Sequence, residues 1–253
     1  MSERISVATP PPIVSTVAPP HPADATVPLD RVAARDLARL TLGFSFVFWG
    51  ALLTLAGLCE SLMVPTLRLM PVLLLGAGSL ALVTGAWRLH QVQGLDDSWR
   101  RRTREVLIVV ALLAYLCPFY AMWRRLPTNT YLLGHVLAML ALFSYSLTLL
   151  CHTVSILGRA AGKRSLVIQA ILFGTLSVVV LFPPFALLAQ AMVVAARGGH
   201  DPFALVQFWL ERMPPWIVLA LLLPFSLTLS LIWAAKDLTL HRLLSTPDEP
   251  TMD

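Results

Sequence analysis

Six long runs of apolar residues, separated by short polar or charged stretches, set the pattern of this chain. A helix needs about 20 apolar residues to cross a bilayer core about 30 Å thick. The predicted fold is therefore all-α: a polytopic membrane protein with six transmembrane helices over residues 30–242. The predicted spans are at about 40–59, 69–87, 106–123, 131–157, 166–186 and 215–235.

Prolines interrupt the last two runs. The fifth run covers residues 166–196, and a straight helix of these 31 residues would be roughly 46 Å long. Because that exceeds the bilayer core, we predict a helix break at Pro183 and Pro184. The helix should then resume near the far interface. Pro224 predicts a second break, near the middle of the sixth span.

Two amphipathic segments flank the spans. The first, at about 30–40, places three arginines on one face at four-residue spacing: Arg31, Arg35 and Arg39. It predicts a short interfacial helix before span 1, although the segment can equally form the start of that span. Residues 203–213 have an apolar face and predict a second interfacial helix, before span 6.

The two ends of the chain have a different composition. Residues 1–29 are rich in proline and predict a disordered cytoplasmic tail. Residues 243–253 are polar and acidic and predict a second disordered tail. Over the whole chain, 57% of residues are hydrophobic and 13% are charged, about half the charge of a soluble domain. This composition excludes a soluble globular protein.

The basic residues predict the orientation. With the N-terminus inside, 14 of the 19 Lys and Arg residues lie on the cytoplasmic side. Both termini are predicted to be cytoplasmic, in a cell membrane of the bacterial inner-membrane type. The positive charge is thus explained by topology rather than by binding of nucleic acid. Four arginines between spans 2 and 3 can also bind acidic lipid headgroups: Arg100, Arg101, Arg102 and Arg104.

The positions of the acidic residues limit the possible chemistry. All 14 Asp and Glu residues fall in tails, loops or span edges, which argues against ion-coupled transporters and proton pumps. The chain has no Walker sequence, no metalloprotease motif and no pair of intramembrane aspartates. We therefore predict no catalytic residues, no metal site and no cofactor with a firm binding site.

Histidines offer the one cofactor hypothesis. His90 and His152 are predicted near the cytoplasmic ends of spans 2 and 4, at similar depth. Together they could ligate one haem between two helices. The alternative is that both lie in interfacial water and bond to loops or headgroups.

Span 4 also carries a polar stripe at helical spacing: Ser144, Thr148, Cys151, His152 and Ser155. Such a stripe can line a polar pathway through the membrane. Short hydroxyl side chains more often bond back to the carbonyl one turn earlier or to a neighbouring helix. We favour helix packing as its role.

Three functions fit this pattern. The favoured hypothesis is a non-catalytic membrane subunit or scaffold that works with partner chains or as a homo-oligomer. The alternative is a permease subunit. With six spans and both ends inside, residues 30–242 resemble permeases of ABC-type exporters in topology, which would imply a separate ATPase as partner. The third is a haem-binding electron-transfer subunit that uses the two histidines.

Overall fold

The computed structural model describes Leu29, residues 32–63 and residues 70–245. These residues form seven α-helices and no strand. The helices are α1 (Ala34–Met63), α2 (Met70–His90), α3 (Asp97–Trp123), α4 (Thr130–Ala160), α5 (Arg164–Arg197), α6 (Pro202–Arg212) and α7 (Pro215–Ser245).

Six of the helices in the described part of the chain, all except α6, are long and apolar enough to cross a membrane. The protein is thus an all-helical, multi-pass membrane protein, as the apolar runs predicted. Several helices continue past the predicted spans. Helix α3 begins at Asp97 and α7 reaches Ser245, because charged and polar residues can extend a helix beyond the bilayer.

The N-terminal part of α1 bears on the segment at residues 30–40, which the sequence predicted as a separate helix or as the start of the first span. Among the described residues of this segment, 34–40 do not form a separate helix, since α1 runs without interruption from Ala34 through the first span. Leu37 and Leu40 are fully buried and continue the inward-facing stripe that includes Phe44. Residues 34–40 are therefore continuous with the first span, and a separate interfacial helix before it is not seen among the described residues. Arg31 lies outside the described residues, as do residues 1–28 of the predicted tail.

The other tail boundary also shifts. Residues 243–245 belong to α7, although the sequence predicted disorder from 243 onward. Residues 246–253 lie outside the described part of the chain. Leu29, assigned to the N-terminal tail, is buried in the core.

Glycines bring α1 and α2 together as antiparallel neighbours. A Cβ atom added to Gly50 would lie 2.9 Å from the carbonyl oxygen of Gly78, and one added to Gly85 would lie 2.8 Å from that of Gly43. The two backbones are therefore in direct contact. In the sequence, Ala77, Ala81 and Gly85 follow four-residue spacing and predict a small-residue ridge for close helix approach. Ala77 is exposed, however, and Gly78 forms the contact instead.

Polar contacts fix the connection between α2 and α3 to the start of α1. Asp36 Oδ2 accepts hydrogen bonds from the backbone N–H groups of Gln93 (3.4 Å) and Gly94 (3.3 Å). Arg39 donates to Asp36 Oδ1 at 3.1 Å. The Trp99 side chain is fully buried and its Nε1 donates to the carbonyl oxygen of Leu89 at 3.1 Å.

Helix α7 packs against both α1 and α4. Thr41 of α1 donates to the hydroxyl of Thr239 at 3.0 Å, which links two residues 198 positions apart. On α4, the Phe143 ring stacks on Phe225, with 5.7 Å between centroids. The last helix thus joins the first helix to the middle of the bundle.

Helix α6 lies at the end of the bundle where α3 and α5 end, and it contacts both of those helices. The Phe203 ring meets the edge of Trp123, with centroids 6.1 Å apart, and the Arg124 guanidinium lies 5.3 Å from the same ring. The amphipathic segment predicted at 203–213 is therefore a helix, as expected. Asp201 caps it by accepting from the Phe203 N–H at 2.8 Å.

The described charges are distributed unequally between the two ends of the bundle. We call the end that holds the start of α1 and the end of α7 the basic end. Twelve of the sixteen described Lys and Arg residues lie there, with five Asp and Glu residues. The opposite end holds the other four basic residues and three acidic ones.

Candidate functional site

A groove between α4 and α5 is the candidate site. It has a volume of about 270 Å³ and opens sideways from the bundle. Its α4 wall includes Ser144, Tyr145 and Thr148, and its α5 wall includes Ser177 and Phe182. Two members of the polar stripe predicted on span 4 therefore line a real concavity.

Close packing of α4 against α5 near the turn that joins them explains where the groove begins. A Cβ atom added to Gly158 would lie 3.0 Å from a methyl group of Val167, and one added to Gly174 would lie 3.3 Å from the Cys151 Cβ. The helices are therefore in close contact near the turn that joins them. The groove begins farther along, where Tyr145 and Phe182 present large exposed side chains.

Hydrogen bonds within each helix reduce the polarity that the serine hydroxyl groups give to the groove. Ser144 donates to the carbonyl oxygen of Leu140 at 3.1 Å, and Ser177 donates to that of Phe173 at 2.8 Å. Both bonds stay within one helix and satisfy the hydroxyl proton. Tyr145 and Thr148 contribute two more hydroxyls, but the other lining residues are apolar, so the groove suits a hydrocarbon group better than an ion.

The rest of the predicted stripe points elsewhere. Cys151 is buried and its sulfur lies 3.6 Å from the Thr228 hydroxyl of α7. Ser155 donates to the carbonyl oxygen of His152 at 2.7 Å. These contacts belong to helix packing, the role favoured from the sequence. The five residues do not form one continuous polar surface.

The two histidines of the haem hypothesis have separate surroundings. His90 Nδ1 lies 3.3 Å from the Thr103 hydroxyl of α3. His152 is exposed on α4. The main neighbours of α3 are α2 and α4, so α3 lies between the two histidine-bearing helices. No contact between the two histidines occurs among the described residues, and their pairing on one haem stays a prediction.

Prolines do not break the helices in the way the sequence predicted. Helix α5 continues through Pro183 and Pro184 to Arg197, and α7 continues through Pro224. Each proline removes one N–H donor, yet the following turns restore the helical pattern. In α7, the Thr228 hydroxyl donates to the Pro224 carbonyl oxygen at 2.8 Å and supplies a polar contact there. The predicted breaks are therefore wrong.

The predicted headgroup-binding arginines divide into paired and unpaired members. Arg101 and Arg102 both contact Glu105, at 3.5 and 2.7 Å. Arg39 is paired with Asp36. Arg35, Arg100 and Arg104 are exposed at the basic end.

Sequence reasoning missed the α5 wall of the groove. Ser177 and Phe182 belong to an apolar run whose pattern does not show which face meets α4. No group of three potential metal-ligating side chains occurs within the described ranges. Comparison with models of protein families, with curated proteins and with solved structures gave no match.

Proposed function

We propose that this protein is a non-catalytic membrane subunit that binds a partner membrane chain through the outer faces of α5 and α7. One observation carries this proposal: the unequal burial of the six spans. In α1 to α4, 39–44% of the most apolar window is buried inside the bundle. In α5 and α7, the corresponding values are 28% and 22%.

The exposed side chains on these two helices are large and apolar. Helix α5 exposes Val179, Phe182 and Leu187, and α7 exposes Trp216 and Leu219. The two helices also contact each other, so they form one edge of the bundle. We call these five side chains the α5/α7 face. Another transmembrane helix packed on this face would bring the burial of α5 and α7 closer to that of the other spans.

The distribution of charge also favours a subunit without its own chemistry. No Asp or Glu occurs between Glu105 and Asp201, a segment that contains α4 and α5. Chains that move protons or cations commonly place a carboxylate on the path. This segment has none.

We also propose that the basic end faces the cytoplasm of a bacterial inner membrane, with both termini inside. The excess of Lys and Arg at that end supports this orientation. Reporter fusions after Gly94 and after Gly199 test it. Cytoplasmic reporter activity after Gly94 and external activity after Gly199 are expected, and the reverse result would overturn the orientation.

Photo-crosslinking from defined positions tests the partner face. A photoreactive residue is placed at Val179 or Leu219 on the α5/α7 face, and at Leu73 or Leu80 on α2 as matched controls. All four positions are at least 64% exposed. We expect adducts with an integral membrane protein, identified by mass spectrometry, from the α5/α7 positions only.

Two results would change the conclusion. Equal protein crosslinking from α2 and from the α5/α7 face would remove the assigned surface. A soluble ATPase that co-purifies in mild detergent and crosslinks to the basic end would identify a permease subunit instead, with α5 and α7 as its dimer face.

A further inference from the structure

The turn between α4 and α5 carries three basic side chains: Arg159, Lys163 and Arg164. All three are exposed at the basic end of the bundle. The turn is short because Gly162 adopts a positive φ of 69°, a conformation that glycine tolerates. The Lys163 N–H donates to the carbonyl oxygen of Gly158 at 2.9 Å and closes the turn. The cations are therefore held together at the end of a helix pair.

Within the described residues, none of these cations has a close ion-pair partner. The nearest acidic residues in sequence are Glu105 and Asp201. The turn therefore carries three basic side chains without an ion-pair partner among the described residues.

The arginine cluster that the sequence singled out on α3 is different. Its four arginines have three nearby carboxylates, and two of them contact Glu105 directly. Neighbouring Asp96 and Asp97 lower the local potential further. The α4–α5 turn is therefore a stronger candidate for an anion-binding site than the arginine cluster on α3.

An apolar surface leads from the turn to the groove. Exposed Ile168, Ile171 and Leu172 line the outer side of α5 below the turn. Thr148, at the near end of the groove, is eleven residues from Arg159. That separation is about 16 Å along a helix, which matches one leaflet of a bilayer core about 30 Å thick.

We propose that the α4–α5 hairpin binds an anionic phospholipid. The headgroup phosphate contacts the three cations of the turn. One acyl chain follows the exposed isoleucines and leucine and places its end in the groove. The charge complementarity of the turn and the apolar walls of the groove together identify this occupant. The groove shares Phe182 with the α5/α7 face, but the three cations and the exposed isoleucines lie outside that face, so the proposal does not depend on a partner binding there.

Native mass spectrometry of the full-length protein tests the headgroup contact. The protein is released from detergent after incubation with phosphatidylglycerol or with phosphatidylcholine of identical acyl chains. We expect phosphatidylglycerol adducts at least about tenfold more abundant, because the cations attract the net negative charge. Equal binding of the two lipids would overturn the proposal.

Matched triple variants locate the site. Replacement of the turn cations (Arg159→Gln, Lys163→Gln, Arg164→Gln) should remove the preference for phosphatidylglycerol. The control (Arg100→Gln, Arg101→Gln, Arg104→Gln) removes the same number of charges from α3 and should leave the preference unchanged. If both variants lost the preference for phosphatidylglycerol equally, the result would show only a general effect of positive charge and would contradict a site at the α4–α5 turn.

A third comparison separates a lipid from a free phosphate. Dihexanoyl phosphatidylglycerol has the same headgroup but chains too short to reach the groove, and should bind at least about tenfold more weakly than the dipalmitoyl lipid. Equal binding would reduce the site to a phosphate contact. A melting curve in detergent confirms that each variant is folded. If the turn triple variant does not fold, Lys163→Gln alone should lower phosphatidylglycerol binding, and an unchanged adduct level would reject the site.

Discussion

Gly50 and Gly78 face each other so closely that a methyl group on either would approach the other's carbonyl oxygen to 2.9 Å. A substitution at this contact must push α1 and α2 apart. We expect Gly78→Ala to destabilise the protein by about 1–3 kcal/mol, the usual cost of overpacking. Thermal or denaturant unfolding in detergent measures the change.

Gly76 provides the control for that experiment. An added Cβ at this position would meet no atom within 4 Å, although Gly76 lies on the same helix. Gly76→Ala should be neutral or slightly stabilising, because alanine favours the helix. Equal losses at Gly76 and Gly78 would contradict the close packing.

Asp36 holds the connection between α2 and α3 against the start of α1. Asp36→Asn keeps the shape of the side chain but removes the charge that interacts with Arg39 and two backbone N–H groups. We expect faster amide hydrogen exchange over residues 91–96 and a loss of about 1 kcal/mol in stability. Asp97→Asn, an exposed change in the first turn of α3, should leave exchange in this connection unchanged.

The bond between Thr41 and Thr239 joins the first and last spans. In a double-mutant cycle with Thr41→Val and Thr239→Val, we expect a coupling energy of about 0.6 kcal/mol, typical of hydroxyl bonds between membrane helices. Thr175 is a suitable control because its exposed hydroxyl bonds within its own helix, to Ile171. Significant coupling between Thr41 and Thr175 would mean that the cycle reports general destabilisation.

Phe203 attaches α6 to the end of α3 through Trp123 and Arg124. Removing the ring in Phe203→Ala should increase hydrogen exchange throughout α6 while the six long helices keep their protection. Phe208→Ala is the matched control, since the Phe208 ring lies against Arg212 of the same helix. Unchanged exchange in the Phe203 variant would show that other contacts hold α6.

The sequence was sufficient for the six spans, because run length and polarity depend on the bilayer rather than on neighbouring helices. It did not specify helix rotation. Gly43 and Gly50, and likewise Gly78 and Gly85, are seven residues apart, which places each pair on one face. The seven-residue spacing marks the contact face, whereas Ala77, which belongs to the four-residue ridge, is exposed.

The sequence predicted residues of the α4 wall of the groove but none of its α5 wall. Ser144 and Thr148 stood out as polar residues in an apolar span, whereas Phe182 is one of many large apolar residues on α5. Which of these residues borders a concavity depends on how α5 rotates against α4, and that depends on glycine contacts such as Gly174 with Cys151. The lack of carboxylates near Arg159 in the sequence is visible without a structure, whereas the distance from the basic turn to the groove is not.

The contact between the first and last spans has a consequence for biosynthesis. Thr239 lies 198 residues after Thr41, so synthesis at about 5–20 residues per second separates the two by roughly 10–40 s. During that interval α1 can pair with α2 as soon as both are inserted, but the side of α1 that receives α7 stays open to lipid. The bundle therefore stays incomplete until α7 is synthesised and inserted. A chain truncated before α7 would keep that side of α1 open and expose it to the cell's quality-control proteases.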